Sequence, residues 1–278
     1  MAIGRGFGRD TVVDCHTHTS HSDGADTAEH MVAAAEREGA RLIAVTDHLT
    51  LPHDMDPACE ASVPEAELGD LIDEVSAAAA AHPAVEVVQG FECDWYEGCE
   101  DNVRRWSEGA TFLLGSVHWV HGAWIDDPDD RHIWDELGAD AVWEGYVDAW
   151  CAACASDLPF DSMAHPDLMR RFEREGAAYG KDPSPLWDRM AECARDTNRR
   201  IEVSTAGLRK SVRGYYPAPP LLERFAAAGV GMTVGSDAHR TQDVGWGIAD
   251  AYAYAAAAGF DHVDVPRADG SWDEIALR

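Results

Sequence analysis

The chain has 278 residues, with 51 acidic against 22 basic side chains and a formal net charge of −29. This charge argues against a nucleic-acid partner, because proteins bind phosphate backbones through clustered lysine and arginine. No run of 18 apolar residues predicts a membrane helix, and the first ten residues lack the apolar core of a signal peptide. We therefore expect a cytoplasmic protein that binds neither nucleic acid nor membrane, and the sequence leaves its oligomeric state open.

Length and cysteine content indicate one α/β domain over residues 1–278 in a reducing compartment. The seven cysteines are odd in number and scattered, which is typical of free thiols. Cys151 and Cys154 have CxxC spacing but lie in a helical pattern without a second pair. Buried helix cysteines are therefore favoured there over zinc ligands.

Short apolar runs alternate with longer helical patterns along the chain. The strand candidates are residues 11–18, 41–48, 85–92, 110–118, 159–165, 200–205 and 230–237. The helix candidates are residues 26–38, 64–81, 139–156, 184–197, 218–228 and 247–258, with Gly39 and Gly229 at two helix ends. Strands separated by helices predict parallel pairing through crossover connections. No glycine-rich dinucleotide or P-loop motif follows any strand candidate.

Metal-type residues follow the strand candidates repeatedly. The first run ends in Asp14-Cys15-His16-Thr17-His18, where period-2 geometry puts Asp14, His16 and His18 on one face. Five later runs end in Thr46-Asp47-His48, Gly90-Phe91-Glu92, Ser116-Val117-His118, Ala164-His165-Pro166 and Ser236-Asp237-Ala238-His239. Because βα barrels carry their active sites at the carboxyl ends of their strands, this recurrence favours a barrel over an open sheet. It predicts a multinuclear metal hydrolase.

These motifs resemble the PHP (polymerase and histidinol phosphatase) superfamily over nearly the whole chain. Fuller segments resemble its histidinol-phosphate phosphatase branch, namely Ser22-Asp23-Gly24, Gly115-Ser116-Val117-His118, His165-Pro166-Asp167-Leu168, Glu202-Val203-Ser204-Thr205-Ala206-Gly207-Leu208-Arg209-Lys210, Tyr216-Pro217 and Gly235-Ser236-Asp237-Ala238-His239-Arg240. The resemblance implies a distorted seven-stranded βα barrel with three divalent ions, each Zn, Mn or Fe.

The resemblance also implies nine metal ligands in this chain. One ion takes His16, His18, Glu92 and Asp237; a second takes the bridging Glu92 with His118 and His165; the third takes Asp23, His48 and His239. His21 is an alternative to Asp23 in the loop after the first motif. We prefer Asp23, because its spacing from His18 is that of the phosphatase branch.

Such a site predicts phosphomonoester hydrolysis. Divalent ions acidify a bridging water to hydroxide and neutralise the phosphoryl oxygens that it approaches. We expect Asp237, His239 or a metal-bound water to protonate the leaving alkoxide. Arg209 is the expected catalytic cation on the phosphate, both from its position and from the resemblance.

Further contacts to a small phosphorylated substrate are expected from Lys210, His121 and Arg170, with Arg171 a secondary candidate. Arg170 and Arg171 can instead be helix-surface residues that pair with glutamates. Asp94 is expected either behind the ligands or in contact with the substrate, and Asp14 is expected behind the ligands, orienting a histidine ring. Trp119 and Trp124 can line a pocket for an imidazole-bearing substrate, and His53 is a weaker candidate.

Three functions remain open. The preferred one is hydrolysis of histidinol phosphate, and the first alternative is a related phosphoesterase acting on a nucleotide or another small phosphate ester. The metal motifs do not separate these two, because metal ligands say nothing about the alcohol that is released. A non-catalytic or proofreading PHP module of a polymerase is disfavoured by the acidic surface and by the lack of an attached polymerase domain.

Overall fold

The structure is a computed structural model that describes residues 7–49, 51, 56 and 58–278, so His53 lies outside the described residues. The strands are β1 (Val12–Thr17), β2 (Ala40–Val45), β3 (His48–Leu49), β4 (Glu86–Asp94), β5 (Phe112–Ser116), β6 (Trp119–Val120), β7 (Ala123–Trp124), β8 (Ser162–Met163), β9 (Arg200–Ser204), β10 (Met232–Gly235), β11 (His262–Pro266) and β12 (Trp272–Ala276). The α-helices are α1 (Ala28–Arg37), α2 (Leu68–Ala81), α3 (Glu100–Trp106), α4 (His132–Leu137), α5 (Ala139–Ala155), α6 (Ser184–Thr197), α7 (Ala206–Arg209), α8 (Pro219–Ala228) and α9 (Ile248–Ala258). Three 3₁₀ segments cover Glu65–Glu67, Leu168–Glu175 and Thr241–Asp243.

Seven parallel strands form a nearly closed barrel in the order β1, β2, β4, β5, β8, β9, β10, with β3 paired to β4. The first and last strands meet through their C-terminal extensions. The backbone N–H of Asp237 donates to the His16 carbonyl at 2.9 Å, and that of His18 donates to the Ala238 carbonyl at 2.9 Å. The predicted distorted seven-stranded barrel is therefore confirmed.

Strand β2 is apolar on both faces. Residues 42–45, Leu-Ile-Ala-Val, are fully buried, because one face of the strand lines the barrel interior and the other packs under helices. In α1, residues 31, 32, 34 and 35 are buried on one face. Thr27 caps that helix by accepting from the His30 N–H at 3.3 Å.

All seven predicted strands and all six predicted helices have counterparts. Gly39 and Gly229 lie at helix ends with φ of 77° and 73°, as predicted, and only glycine adopts this conformation without strain. The strand prediction at 159–165 is too long, because only Ser162 and Met163 pair with both neighbours.

The sequence patterns miss several short elements. Two antiparallel hairpins, β6–β7 and β11–β12, are not among the predictions, and neither are helices α3, α4 and α7. Most of these elements are too short to establish a period in the sequence. Among the described residues, no helix combines the length and apolarity that crossing a membrane requires.

Candidate metal centre

The nine predicted ligands converge at one end of the barrel. His16 lies on β1, His48 on β3 and Glu92 on β4, while the others lie in the loops that follow β1, β5, β8 and β10. Because these strands are parallel, their carboxyl ends open at the same end of the barrel. We call these nine side chains the cavity floor: His16, His18, Asp23, His48, Glu92, His118, His165, Asp237 and His239.

The first group of floor residues gathers around His16. Its Nε2 lies 3.0 Å from His18 Nε2, 3.0 Å from Glu92 Oε2 and 3.9 Å from Asp237 Oδ1. His18 Nε2 lies 3.4 Å from the same Asp237 oxygen. Two imidazole nitrogens and two carboxylate oxygens thus face one point, which is a donor set suited to a divalent cation.

Glu92 connects this group to a second one through its other oxygen. Glu92 Oε1 lies 2.8 Å from His165 Nε2 and 3.8 Å from His118 Nε2. The two oxygens of one carboxylate therefore face different histidine groups. This is the arrangement expected of a carboxylate that bridges two ions.

The third group surrounds Asp23. Its Oδ2 lies 3.1 Å from His239 Nε2, and its Oδ1 lies 4.0 Å from His48 Nε2. His18 Nδ1 is buried without a hydrogen-bond partner and lies 3.8 Å from Asp23 Oδ1. Potential ligand atoms lie within 4.8 Å of one another in three sets, which are His16, His18 and Asp237; Glu92, His118 and His165; and His18, Asp23, His48 and His239.

The pKa of each of these floor side chains depends on its burial and on its charged neighbours. Burial alone would raise the pKa of Glu92, but His16 and His48 hold it well below its usual range. Burial and the neighbouring His239 and His48 lower the pKa of His18 to about 3. Burial lowers the pKa of His16, but Glu202 and Glu92 raise it well above its usual value. Metal binding would therefore displace protons from part of the floor. The residues present fit divalent ions.

Two buried carboxylates hold the floor histidines from behind. Glu202 Oε1 accepts from His16 Nδ1 at 2.9 Å, and its Oε2 accepts from the backbone N–H of His165 at 2.9 Å. Asp94 contacts His118 Nδ1 at 2.5 Å and His48 Nδ1 at 3.3 Å. The three bonds to ring nitrogens orient His16, His48 and His118 so that the other nitrogen of each ring faces the floor.

Asp94 was predicted in this position, whereas Glu202 was not singled out for it. The signal for Glu202 in the sequence is a carboxylate inside an apolar strand, Ile201-Glu202-Val203, because a buried carboxylate needs a hydrogen-bond partner. Gly235 on β10 makes room for the contact, because a Cβ there would overlap the Glu202 carboxylate and His16.

The structure corrects the role expected of Asp14. Its carboxylate accepts from the Ser236 N–H at 2.8 Å, the Ser236 hydroxyl at 2.6 Å and the Gly245 N–H at 2.7 Å. It reaches His16 only at the backbone N–H, at 3.4 Å, and so orients no histidine ring. Its bonds instead tie β1 to the loop that carries Asp237.

The choice between His21 and Asp23 follows from their different partners. His21 faces away from the floor, with its Nε2 2.9 Å from Glu74 on α2. Asp47 holds the loop in place by accepting from the Thr19 N–H at 2.6 Å and the Ser22 hydroxyl at 2.5 Å. This anchoring leaves Asp23 facing the floor.

A cavity of about 530 Å³ opens above the floor. Beyond the floor residues, we name four side chains around its mouth the cavity rim: Trp124, Asp126, Arg171 and Lys210. Trp124 and Asp126 belong to the hairpin segment after His118, whereas Arg171 and Lys210 follow β8 and β9. The volume is typical of a small-molecule site.

Arg209 does not line the cavity, contrary to the expected phosphate contact. Its guanidinium donates to the carbonyls of Ser236 at 2.6 Å and Asp237 at 3.2 Å. Asp237 has a φ of 53°, a conformation that costs free energy in a residue with a side chain. Arg209 therefore stabilises the turn that presents Asp237 and is a positioning residue.

Arg170 and His121 also lie outside the cavity lining. Arg170 is held by Asp167 at 3.1 Å and by Glu173 at 2.8 Å, so the alternative of a glutamate-paired arginine applies to it. His121 is exposed, and its ring packs against Gly145 of α5. Arg171 and Lys210 are the cations that the structure places at the cavity.

The tryptophan prediction holds for one residue of the pair. Trp124 lines the cavity, with its ring centroid 6.1 Å from that of His118. Trp119 does not line it, and instead packs edge-on against Trp124, with 5.5 Å between the ring centroids.

Cys151 and Cys154 are free and buried, as predicted.

The chain is similar to known proteins over most of its length. The family model described as "PHP domain" matches residues 14–206. A protein of Deinococcus radiodurans described as a probable histidinol-phosphatase is 30% identical over 86% of this chain and 90% of its own length. The histidinol-phosphatase of Bacillus subtilis is 24% identical over 87% of this chain and 97% of its own length.

Among solved structures, the histidinol phosphate phosphatase of Lactococcus lactis, in complex with zinc, L-histidinol and phosphate, superposes with a TM-score of 0.75. The alignment covers 95% of this chain and 99% of the other, at 17% identity, and so shows a shared fold. The matched model covers the β strands that carry most of the floor. The chain belongs to the PHP domain family.

Proposed function

We propose that this protein is a metal-dependent phosphomonoesterase that hydrolyses L-histidinol phosphate to L-histidinol and phosphate. The observation that carries the proposal is the convergence of nine imidazole and carboxylate side chains beneath a cavity with cationic side chains at its mouth. The similarity to histidinol-phosphatases over most of both chains supports the choice of substrate.

We propose that the floor holds three divalent ions, each zinc, manganese or iron. His16, His18, Glu92 and Asp237 would hold the first; Glu92, His118 and His165 the second; Asp23, His48 and His239 the third. When bound, such ions activate water for attack and neutralise the phosphoryl oxygens. The mixed imidazole and carboxylate donors suit all three metals.

The chain's own residues supply the remaining functions. Arg171 and Lys210 bind the phosphoryl oxygens at the cavity mouth, with Ser211 holding Arg171 through a bond of 2.8 Å. His239 lines the cavity, and its bond to Asp23 raises its pKa although burial opposes this. When bound, the ion at His239 would take the place of the proton on that ring, so a water held by the ions would supply the proton to the leaving alkoxide.

The proposal includes a single domain over residues 1–278 and a cytoplasmic location. All seven cysteines are free, which supports a reducing compartment. A nucleotide or another small phosphate ester remains the alternative substrate, because the floor contacts only the phosphoryl end of any ester.

The experiment that tests the proposal measures phosphate release by metal-analysed protein. The substrates are L-histidinol phosphate, AMP, p-nitrophenyl phosphate and a phosphodiester, and kcat/KM is compared among them. We expect L-histidinol phosphate to be preferred by at least about 100-fold, a ratio typical of discrimination by a shaped pocket. Faster hydrolysis of AMP would transfer the assignment to nucleotides, and absence of metal-dependent release from every monoester would overturn it.

A further inference from the structure

The cavity rim carries one carboxylate that no part of the proposed chemistry uses. Asp126 lines the cavity and is half-buried. A carboxylate at a phosphatase site repels a dianionic substrate, so we expect a contact with the substrate that offsets this repulsion. Such a contact would have to come from the part of the substrate that is not phosphate.

Other carboxylates that line the cavity outside the floor are bonded or exposed. Asp56 accepts from the backbone N–H groups of residues 60, 61 and 62 at 2.8 to 3.1 Å. Asp127 accepts from the Asp129 N–H at 2.8 Å, and Glu60 is exposed. Among the described residues, no donor is bonded to the Asp126 carboxylate, which leaves it free to accept from a ligand.

The backbone around Asp126 is held rigidly. The preceding residue, Ile125, is buried; its N–H donates to the His118 carbonyl at 3.0 Å, and its carbonyl accepts from Trp134 Nε1 at 3.0 Å. The ring of Trp124 lies on the same segment, between Trp119 and His118. Trp124 and Asp126 line the same cavity, and a carboxylate and an aromatic ring together are a suitable site for an organic ammonium group.

We propose that Asp126 binds the ammonium group of the substrate, with the Trp124 ring beside it, and thereby selects phosphate esters of amino alcohols. The inference rests on the proposed function and deepens it. In L-histidinol phosphate the ammonium group is attached to the second carbon from the ester oxygen, so both ends of the substrate can contact one cavity. Arg171 and Lys210 serve the phosphoryl end and Asp126 serves the alcohol end.

The test compares L-histidinol phosphate with its deamino analogue, 3-(imidazol-4-yl)propyl phosphate, and with p-nitrophenyl phosphate. Asp126→Asn should lower kcat/KM for L-histidinol phosphate relative to the deamino analogue by about 10- to 100-fold, as expected for loss of a partly desolvated charge pair. Asp126→Ser provides a second neutral variant, and Trp124→Leu should give a smaller loss with the same selectivity.

Asp129→Asn is the matched control, because it removes an equal charge from the same loop at an exposed position. It should leave the ratio between the two substrates within about 2-fold, as surface charges contribute little. A ratio in Asp126→Asn and Asp126→Ser equal to that of the unmodified protein would overturn the inference while leaving the proposed function intact. Failure of the unmodified protein to hydrolyse L-histidinol phosphate, with another monoester turned over, would overturn the proposed function first.

Discussion

The floor and the rim of the cavity are built in different ways. Floor residues lie on parallel strands or in the loops that follow them, and the buried carboxylates Glu202 and Asp94 orient some of their rings. Rim residues lie on a hairpin, a 3₁₀ segment and a short helix end, and Lys210 and Arg171 retain exposure to solvent. The difference indicates that the floor determines the reaction, which is common to many esters, whereas the rim determines which ester is accepted.

The largest effect is expected from removing a floor ligand. His16→Ala should lower kcat by more than about 1,000-fold and release metal, since the first group loses its central nitrogen. Metal content per chain, kcat and far-ultraviolet circular dichroism measure these effects on the same sample. His30→Ala, at an exposed position on α1, is the control. Full activity with full metal content in His16→Ala would contradict the proposed ligand set.

A smaller loss of metal affinity or kcat is expected from changing Glu202, which contacts the floor ligand His16. Glu202→Gln keeps the shape of the side chain but weakens the bond that orients His16, so metal affinity or kcat should fall about 10- to 100-fold. KM should change little, because Glu202 does not line the cavity. The exposed Glu192→Gln on α6 serves as the control. A change confined to KM would place Glu202 among the substrate contacts instead.

The neighbouring residues Arg170 and Arg171 are predicted to have different roles, Arg171 in substrate binding and Arg170 in stability. Arg171→Ala should raise KM for phosphate esters about 10-fold with a smaller change in kcat, because it removes a binding cation. Arg170→Ala should instead lower the melting temperature, because it leaves the buried Asp167 without its ion-pair partner. Steady-state kinetics and thermal unfolding distinguish the two. The reverse pattern would restore Arg170 as the substrate contact.

The smallest effect is expected on the free energy of unfolding, from changing His82, which belongs to neither the floor nor the rim. His82 bonds to Glu36 and Glu29, and these bonds raise its pKa above the usual value. A raised pKa in the folded state stabilises the protein below the unfolded value of about 6.5, and this contribution is lost as pH rises through the folded value. His82→Gln should therefore lower the free energy of unfolding at pH 6 by less than about 1 kcal/mol and leave it unchanged at pH 9. A deficit of equal size at both pH values would show that the bonds do not act through charge.

The floor was readable from the sequence because barrel strands have a regular period and their carboxyl ends meet. Most of the ligands lie near the end of an apolar run, so linear order predicts that they are close together. The complete set of nine came from the resemblance to the PHP superfamily. The reading failed for Arg209, which follows a strand end as expected but turns its guanidinium back to two carbonyls. Side-chain direction at a strand end depends on the neighbouring loop, and no local pattern encodes it.

The sequence by itself determined the α/β class and the seven barrel strands, and its motifs, through their resemblance to a family, predicted the side chains that form the floor. Only the tertiary structure decided which of Arg170 and Arg171 reaches the cavity, that Glu202 supports His16, and that Asp126 stands unbonded at the rim. These depend on contacts between segments that are distant in the chain, such as the 186 positions separating His16 from Glu202. Periodicity records which way a residue faces within its own element, whereas a partner from another element is selected only when the barrel closes.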